Sequence, residues 1–229
     1  MPGIMRVLLL ITIALVATSY ASVPETEECY LNVKDNCDSR LKVDTGLAHC
    51  DAKYGAFDKV EKDLQRFTNS LIHRSFDFLL LATHYADHIK NRPGFEKLFR
   101  GLSDQLWEDG IDTIKYITSR GGRMNLNNIE PEVSTDKSNL ELYELHSIGK
   151  ALDIEKKLAA KVFELHKQAS GRTDEHHDAE VAHHLEEKFM EKQRDTIRTL
   201  AGHAKDLNSI MSSADSSLGL YLFDNYLQE

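Results

Sequence analysis

Strand signals are nearly absent from this 229-residue sequence, which leaves an all-α fold class as the expectation. No glycine-rich phosphate loop precedes a helix. The Gly121-Gly122-Arg123 step after Ser119 has neither the spacing nor the Lys-Ser/Thr ending of a nucleotide cradle. No serine sits between glycines in the elbow pattern, so nucleophilic catalysis has no support. Basic and aromatic residues share no stripe, and the formal net charge is −9. A surface this negative repels phosphate backbones, which argues against nucleic acid and against anionic membranes as partners. The one marked apolar run, Val7 to Ala17, is about a dozen residues against the roughly 20 that a bilayer span needs, so no membrane anchor is expected.

That run is preceded by Arg6 and followed by Ser19-Tyr20-Ala21, the small-residue pattern of a signal-peptidase site. Residues 1–21 therefore read as a secretory signal, and the protein as secreted or resident in the secretory lumen. Removing the segment removes Arg6, which takes the net charge from −9 to −10. Only three cysteines are present, Cys29, Cys37 and Cys50, all in an N-terminal extension at 22–55. In an oxidising compartment they tend to pair, yet three is odd, so at most one internal bridge forms. The leftover thiol is either free or bonded to another chain. A zinc site would need a fourth ligand, for which only His49 lies at hand.

From Phe57 onward a period near 3.6 dominates. The first helix is predicted over 57–89, with Val60, Leu64, Phe67, Leu71, Phe78 and Leu81 inward and a stop at Asn91-Arg92-Pro93-Gly94. A second runs from Phe95 to Ser119, with Leu98, Leu102, Leu106, Ile111, Ile114 and Ile117 among its inward residues. A third runs from about Ser138 to Ala169 through Leu142, Leu145, Leu152, Leu158 and Val162. A fourth covers roughly 176–210, and the short amphipathic SLGLYLFDNYL closes the chain. Four long one-striped helices predict a bundle domain over 56–229. The segment GGRMNLNNIEPEVSTDK between the second and third is long enough to cross from one end of the bundle to the other.

Bundles of this kind hold di-iron carboxylate centres on two Glu-x-x-His pairs plus two further glutamates. One such pair exists, Glu180-Val181-Ala182-His183, inside a His-rich segment that reads either as a solvated helix start or as a weak cation patch. The stretch DQLWEDGID carries Asp104, Glu108, Asp109 and Asp112 within nine residues. They stand either for ligands, for a cation-gathering face, or for ordinary solvated charge.

The motifs ITSRGGRMNL at 117–126, ALDIEKKLAAKVFELHKQA at 151–169 and SLGLYLFDNYL at 217–227 resemble the end of helix B, helix C and helix E of the ferritins, and the resemblance extends over about 56–228. With its leader and cysteine-bearing extension the chain resembles the light-chain-like subunit of secreted insect ferritins. The resemblance implies a ferritin-like four-helix bundle with a long B–C crossover and a short fifth helix, a shell of 24 subunits, and iron taken up as Fe(II) and stored as a ferric oxyhydroxide mineral. Counted back from Arg120-Gly121-Gly122-Arg123, the helix B glutamate of the ferroxidase site falls at Leu106 and the histidine at Asp109. The helix A glutamate falls at Leu71 and the tyrosine at Phe78. Glu155 keeps the helix C glutamate and Gln193 the helix D glutamine.

Leucine offers a metal neither charge nor lone pair. The resemblance therefore implies a chain that is not itself an oxidase, with a heavy-type partner supplying that activity in a hetero-oligomer. Asp109, Glu155 and Gln193 are left as a one-metal remnant or a satisfied polar cluster. Asp104 and Glu108 fall on the inner face where light-type subunits gather ferric ions, with Asp112 continuing the row. His183 and Glu186 fall where the family lines its three-fold channel with acids. By the same resemblance the odd cysteine would tie the two subunit types together. Two rival readings are a ferritin subunit with residual ferroxidase activity and a secreted helical signalling protein.

Overall fold

A computed structural model of the chain describes residues 51–126, 142–171 and 177–229. Ala52–Glu229 form one compact unit. The expected leader and all three cysteines, Cys29, Cys37 and Cys50, lie outside the described residues.

Among the described residues every regular element is helical. The first helix, α1, spans Phe57–Ala86 and buries Phe57, Val60, Leu64, Phe67, Leu71, Phe78, Leu81 and Tyr85 at helical spacing. It ends three residues before the expected Ile89, because Asp87 turns extended and Asn91 adopts a left-handed φ of 47°. Helix α2, Pro93–Ser119, starts with proline, whose missing N–H costs nothing there. Its stop explains the double glycine. Gly121, at φ +79°, donates its N–H to Thr118, and Gly122 donates to Ile117, the paired bonds of a Schellman motif.

Helix α3, Glu144–Ala169, begins about six residues later than expected. Its preceding backbone is already engaged: the Leu142 carbonyl accepts from His84 Nε2 at 3.2 Å, and Tyr143 is extended. The inward row also differs from expectation. Ser147, Ile148, Ala151, Ile154, Glu155, Leu158, Val162 and Leu165 are buried, whereas Leu145 and Leu152 are half-buried flanks and Leu142 is exposed. On α2, likewise, Gly110 and Thr113 occupy the core row, and the expected Leu98, Ile111 and Ile114 are half-buried beside it. Small residues fit where two helices approach closely, so these larger side chains are displaced to the flanks of the seam.

The fourth helix is not continuous. Helix α4, Ala179–Leu185, is capped by Asp178, which accepts from the Val181 N–H. A π-helical turn at Glu186–Met190 leads into α5, Glu191–Met211. Helix α6, Ser216–Tyr226, closes the chain. Asp224 on α6 accepts from the Gly94 and Phe95 N–H groups at 3.0 and 3.1 Å, capping α2 from outside its own chain segment. Only glycine fits at 94, since a Cβ would lie 1.8 Å from the Asp224 carbonyl oxygen.

Pair contacts set the topology. Along α1 and α3, Gln168 reaches Asp63, Lys161 reaches Ser70, and Tyr85 and Ser147 share a 2.7 Å hydroxyl hydrogen bond, so the two helices are antiparallel. The end of α2 lies at the start of α1, where Gln65 donates to the Arg123 carbonyl. The start of α3 lies at the other end of α1. The end of α2 and the start of α3 therefore lie a length of α1 apart, about 45 Å for 30 helical residues. Helix α5 runs antiparallel to α2, with Lys192 beside Asp109 and Glu180 of α4 beside Tyr116. The core between them contains stacked Tyr85, Phe95 and Phe99 at one end and an edge-on Phe67–Phe189 pair.

Candidate functional site

The middle of the bundle is packed with apolar side chains. Leu71 and Phe78 of α1 are fully buried and Leu106 of α2 is 2% exposed, all in the main hydrophobic cluster. Set among them on the inward row of α3 is Glu155, 1% exposed. Neither of its carboxyl oxygens has a hydrogen-bond partner. Burial pushes this carboxyl up to about 7, with the Asp109 charge adding to the effect and the Lys192 ammonium opposing it.

Asp109 faces the same region from α2. Its carboxylate accepts from Lys192 Nζ at 2.6 Å, and burial raises its affinity for a proton while the lysine lowers it. Gln193, next to that lysine, is buried at 5% exposure. The expected alternatives of a metal remnant and a satisfied polar cluster thus meet a mixed arrangement. Asp109 is satisfied by Lys192, and Glu155 has no hydrogen-bond partner among the described residues. Lys192 bonds to Asp109, and its ammonium reaches Glu155 only as a through-space charge.

The acidic face extends differently from expectation. Asp104 is exposed and tied to its own helix, receiving Arg100 Nε at 3.1 and 3.2 Å. Asp112 pairs with exposed Lys115 at 3.0 Å. Glu108 has no ion-pair partner among the described residues and lines a groove of about 480 Å³ between α2 and α5, together with Asp109 and Asp112. The opposite wall is Glu187 of the π turn and Glu191 and Asp195 of α5, with Lys188 and Lys192 between them. Asp104 is not among the residues lining the groove. The α5 acids went unnoticed in the sequence, although Glu187, Glu191 and Asp195 recur every four residues as one helical row.

His183 and Glu186 do not pair with each other. His183 is exposed, 3.9 Å from Glu187, whereas Glu186 turns to His166 of α3 at 2.6 Å. The π turn at Glu186–Met190 lies between His183 and Gln193. The Glu-x-x-His glutamate is also taken. Glu180 receives Tyr116 and Arg120, and Arg120 is itself buried, held by Asp178 at 2.8 Å and stacked 4.1 Å from the Tyr54 ring. His184 lies parallel on Tyr116 at 3.7 Å, and burial depresses its proton affinity. This end of the bundle is an anchoring network.

No three His, Cys, Asp or Glu side chains among the described residues converge closely enough to chelate a metal as they stand. The chemistry the geometry permits is loose, oxygen-rich and electrostatic: retention of hydrated cations along the groove. Carboxylates select hard cations such as Mn(II), Mg(II) and Fe(III).

Comparison with known proteins adds to this. A family profile described as Ferritin-like domain matches residues 64–210. The chain is 41% identical over 214 residues to a ferritin light chain of Drosophila melanogaster, covering 92% of this chain and 93% of that one. It is 37% identical over 233 residues to a ferritin light chain of Trichoplusia ni, covering 98% and 99%. Among solved structures, secreted ferritin of Trichoplusia ni superposes with a TM-score of 0.80 at 38% identity, covering 88% of this chain and 98% of the other.

Proposed function

The chain belongs to the ferritin family, and from that premise we propose that it is a light-type subunit of a secreted iron-storage shell, without a ferroxidase centre of its own. The observation that carries the proposal is the burial of Leu71 and Leu106 in the apolar core, which the family resemblance matches to the two iron-holding glutamates. Hydrocarbon at those sites supplies no anionic oxygen, and a pair of iron ions in an apolar bundle needs several. The Lys192 ammonium on Asp109 opposes a cation at the remaining position as well.

On this reading a heavy-type partner oxidises Fe(II), and this chain offers the resulting Fe(III) a carboxylate surface on which the oxyhydroxide mineral starts, Glu108 foremost and Asp104 beside it. His183 and Glu186 belong to the channel through which iron enters. Of Cys29, Cys37 and Cys50, one joins the two subunit types covalently. The partner is a second ferritin chain in a hetero-oligomeric 24-subunit particle, in the secretory lumen or outside the cell. The names of the light-chain relatives and of the secreted structure support this reading.

The deciding experiment is Fe(II) oxidation by the chain assembled alone. Slow oxidation that does not saturate with Fe(II) is expected, with normal mineral formation once a heavy-type subunit is added. Fast saturable turnover by the chain alone would overturn the proposal. A non-reducing gel of the native particle should show a linked pair of subunits, and a monomer band alone would count against the covalent tie.

A further inference from the structure

Helix α6 is held on the bundle by apolar packing and by two groups that titrate. Phe223 packs on Phe95 of α2 with ring centroids 5.9 Å apart, and Gly219 lies so close to α5 that a Cβ there would meet Ile210 at 2.5 Å. Those contacts carry no charge. The Asp224 carboxylate, 3% exposed, accepts from the Gly94 and Phe95 N–H groups of α2. His203 of α5 is half-buried, with its ring nearly perpendicular to Phe223 at 5.7 Å and to Tyr226 at 6.1 Å. Imidazole is the side chain whose charge changes closest to neutral pH, and the α6 side chains that this one meets are aromatic.

We propose that α6 is an acid-released latch: the neutral His203 ring lodges against Phe223 and Tyr226 and holds the helix on α5, whereas the charged ring is better placed in water, so mild acidification loosens α6 and uncovers the first turn of α2. This goes beyond the iron-storage reading and does not depend on it. The surroundings of His203 set the direction. Burial lowers its affinity for a proton, and Asp206, one turn along the same helix, opposes this only in part. From α6 the titratable group beside it is the Tyr226 phenol, and on the α2 side Lys97 is engaged by the Gln228 carbonyl just past α6. As pH falls through the ordinary histidine value of 6.5, the released state takes up a proton that the docked state resists, so docking weakens. Asp224 works the other way. Burial raises its proton affinity above the ordinary 3.8, against the Phe95 and Gly94 N–H groups and Arg92, with Glu144 adding to the rise, so its protonation favours the docked helix at still lower pH. The loosening is therefore centred between 6.5 and 3.8, the ordinary values of the two groups.

The test is hydrogen–deuterium exchange of the full chain in its native assembly, read peptide by peptide and corrected for the intrinsic pH dependence of amide exchange. From about pH 7.5 to about pH 5.5, protection of α6 and of the first turn of α2 should fall roughly threefold or more, while the middle of α1 stays level. His203→Phe keeps an aromatic ring that cannot be charged, and it should hold α6 equally firmly at both pH values. His203→Gln, a polar neutral replacement, should show the same lack of pH dependence even where its α6 is less protected throughout. Asp224→Asn keeps an acceptor for the α2 N–H groups and should retain the fall seen in the parent. Protection of α6 that is unchanged or rises on acidification of the parent, as it would if the charged ring bound the aromatic faces, would overturn the proposal. So would His203 variants that loosen as the parent does, or an Asp224→Asn variant that no longer loosens, which would assign the change to the carboxylate.

Discussion

Glu155→Gln isolates the cost of an ionisable group left unpaired in the core. The ordinary value for a glutamate is 4.5, and burial raises Glu155 to about 7, which at about 1.4 kcal/mol per pH unit corresponds to about 3 kcal/mol against the charged form. The sign follows from proton counting. Below the unfolded value both states hold the proton, and the site costs nothing by ionisation. Between 4.5 and about 7 the folded state keeps a proton that the unfolded state has released, so stability falls as pH rises. Above about 7 the penalty is constant. Glutamine has the shape of the neutral acid and the same unsatisfied polarity, so the variant differs from the parent in ionisation alone. In urea unfolding at matched protein concentration, Glu155→Gln should be more stable than the parent by about 3 kcal/mol at pH 8, and the two should coincide near pH 4. A stability difference that is independent of pH would refute the assignment of Glu155 as an unpaired buried acid.

Arg120→Leu should cost about 3–5 kcal/mol in thermal or denaturant unfolding, because it strands the buried Asp178 carboxylate, and a loss under about 1 kcal/mol would show that the pair is not buried as described. Asp224→Ala removes the acceptor for two α2 N–H groups and should cost about 1–2 kcal/mol, read as faster hydrogen exchange confined to α6 and the first turn of α2. Gly94→Ala should release α6 more completely, since the added Cβ meets backbone at 1.8 Å, and exchange rates unchanged in α6 would contradict the close approach.

Much of the fold was legible because helices announce themselves locally. The rows Val60-Leu64-Phe67-Leu71 and Phe95-Phe99-Leu102-Leu106 bury as their spacing implies. Gly121 and Gly122 stop α2 through bonds that reach only three and five residues back. The α3 row was misread by choosing its leucines. Leu145 and Leu152 are larger than Ser147 and Ala151, yet closeness of packing decides which enters the seam, and that depends on residues far along the chain. The π turn carries no local signal of comparable strength.

Local sequence set the helical character of this protein, where its helices break, and the inward placement of Leu71 and Leu106 in the first two helices. These are properties of one residue or one turn of chain. Tertiary structure decided which charges meet. Lys192 reaches Asp109 across 83 positions and Arg120 reaches Asp178 across 58. Glu155 is left without a partner by the same arrangement. Asp104 and Glu108 share a helix face in the sequence, but only Glu108 lines a groove, because the second wall is supplied by α5. Burial and pairing act through space at a few ångströms, and helical periodicity places a side chain on a face without saying what will stand opposite it.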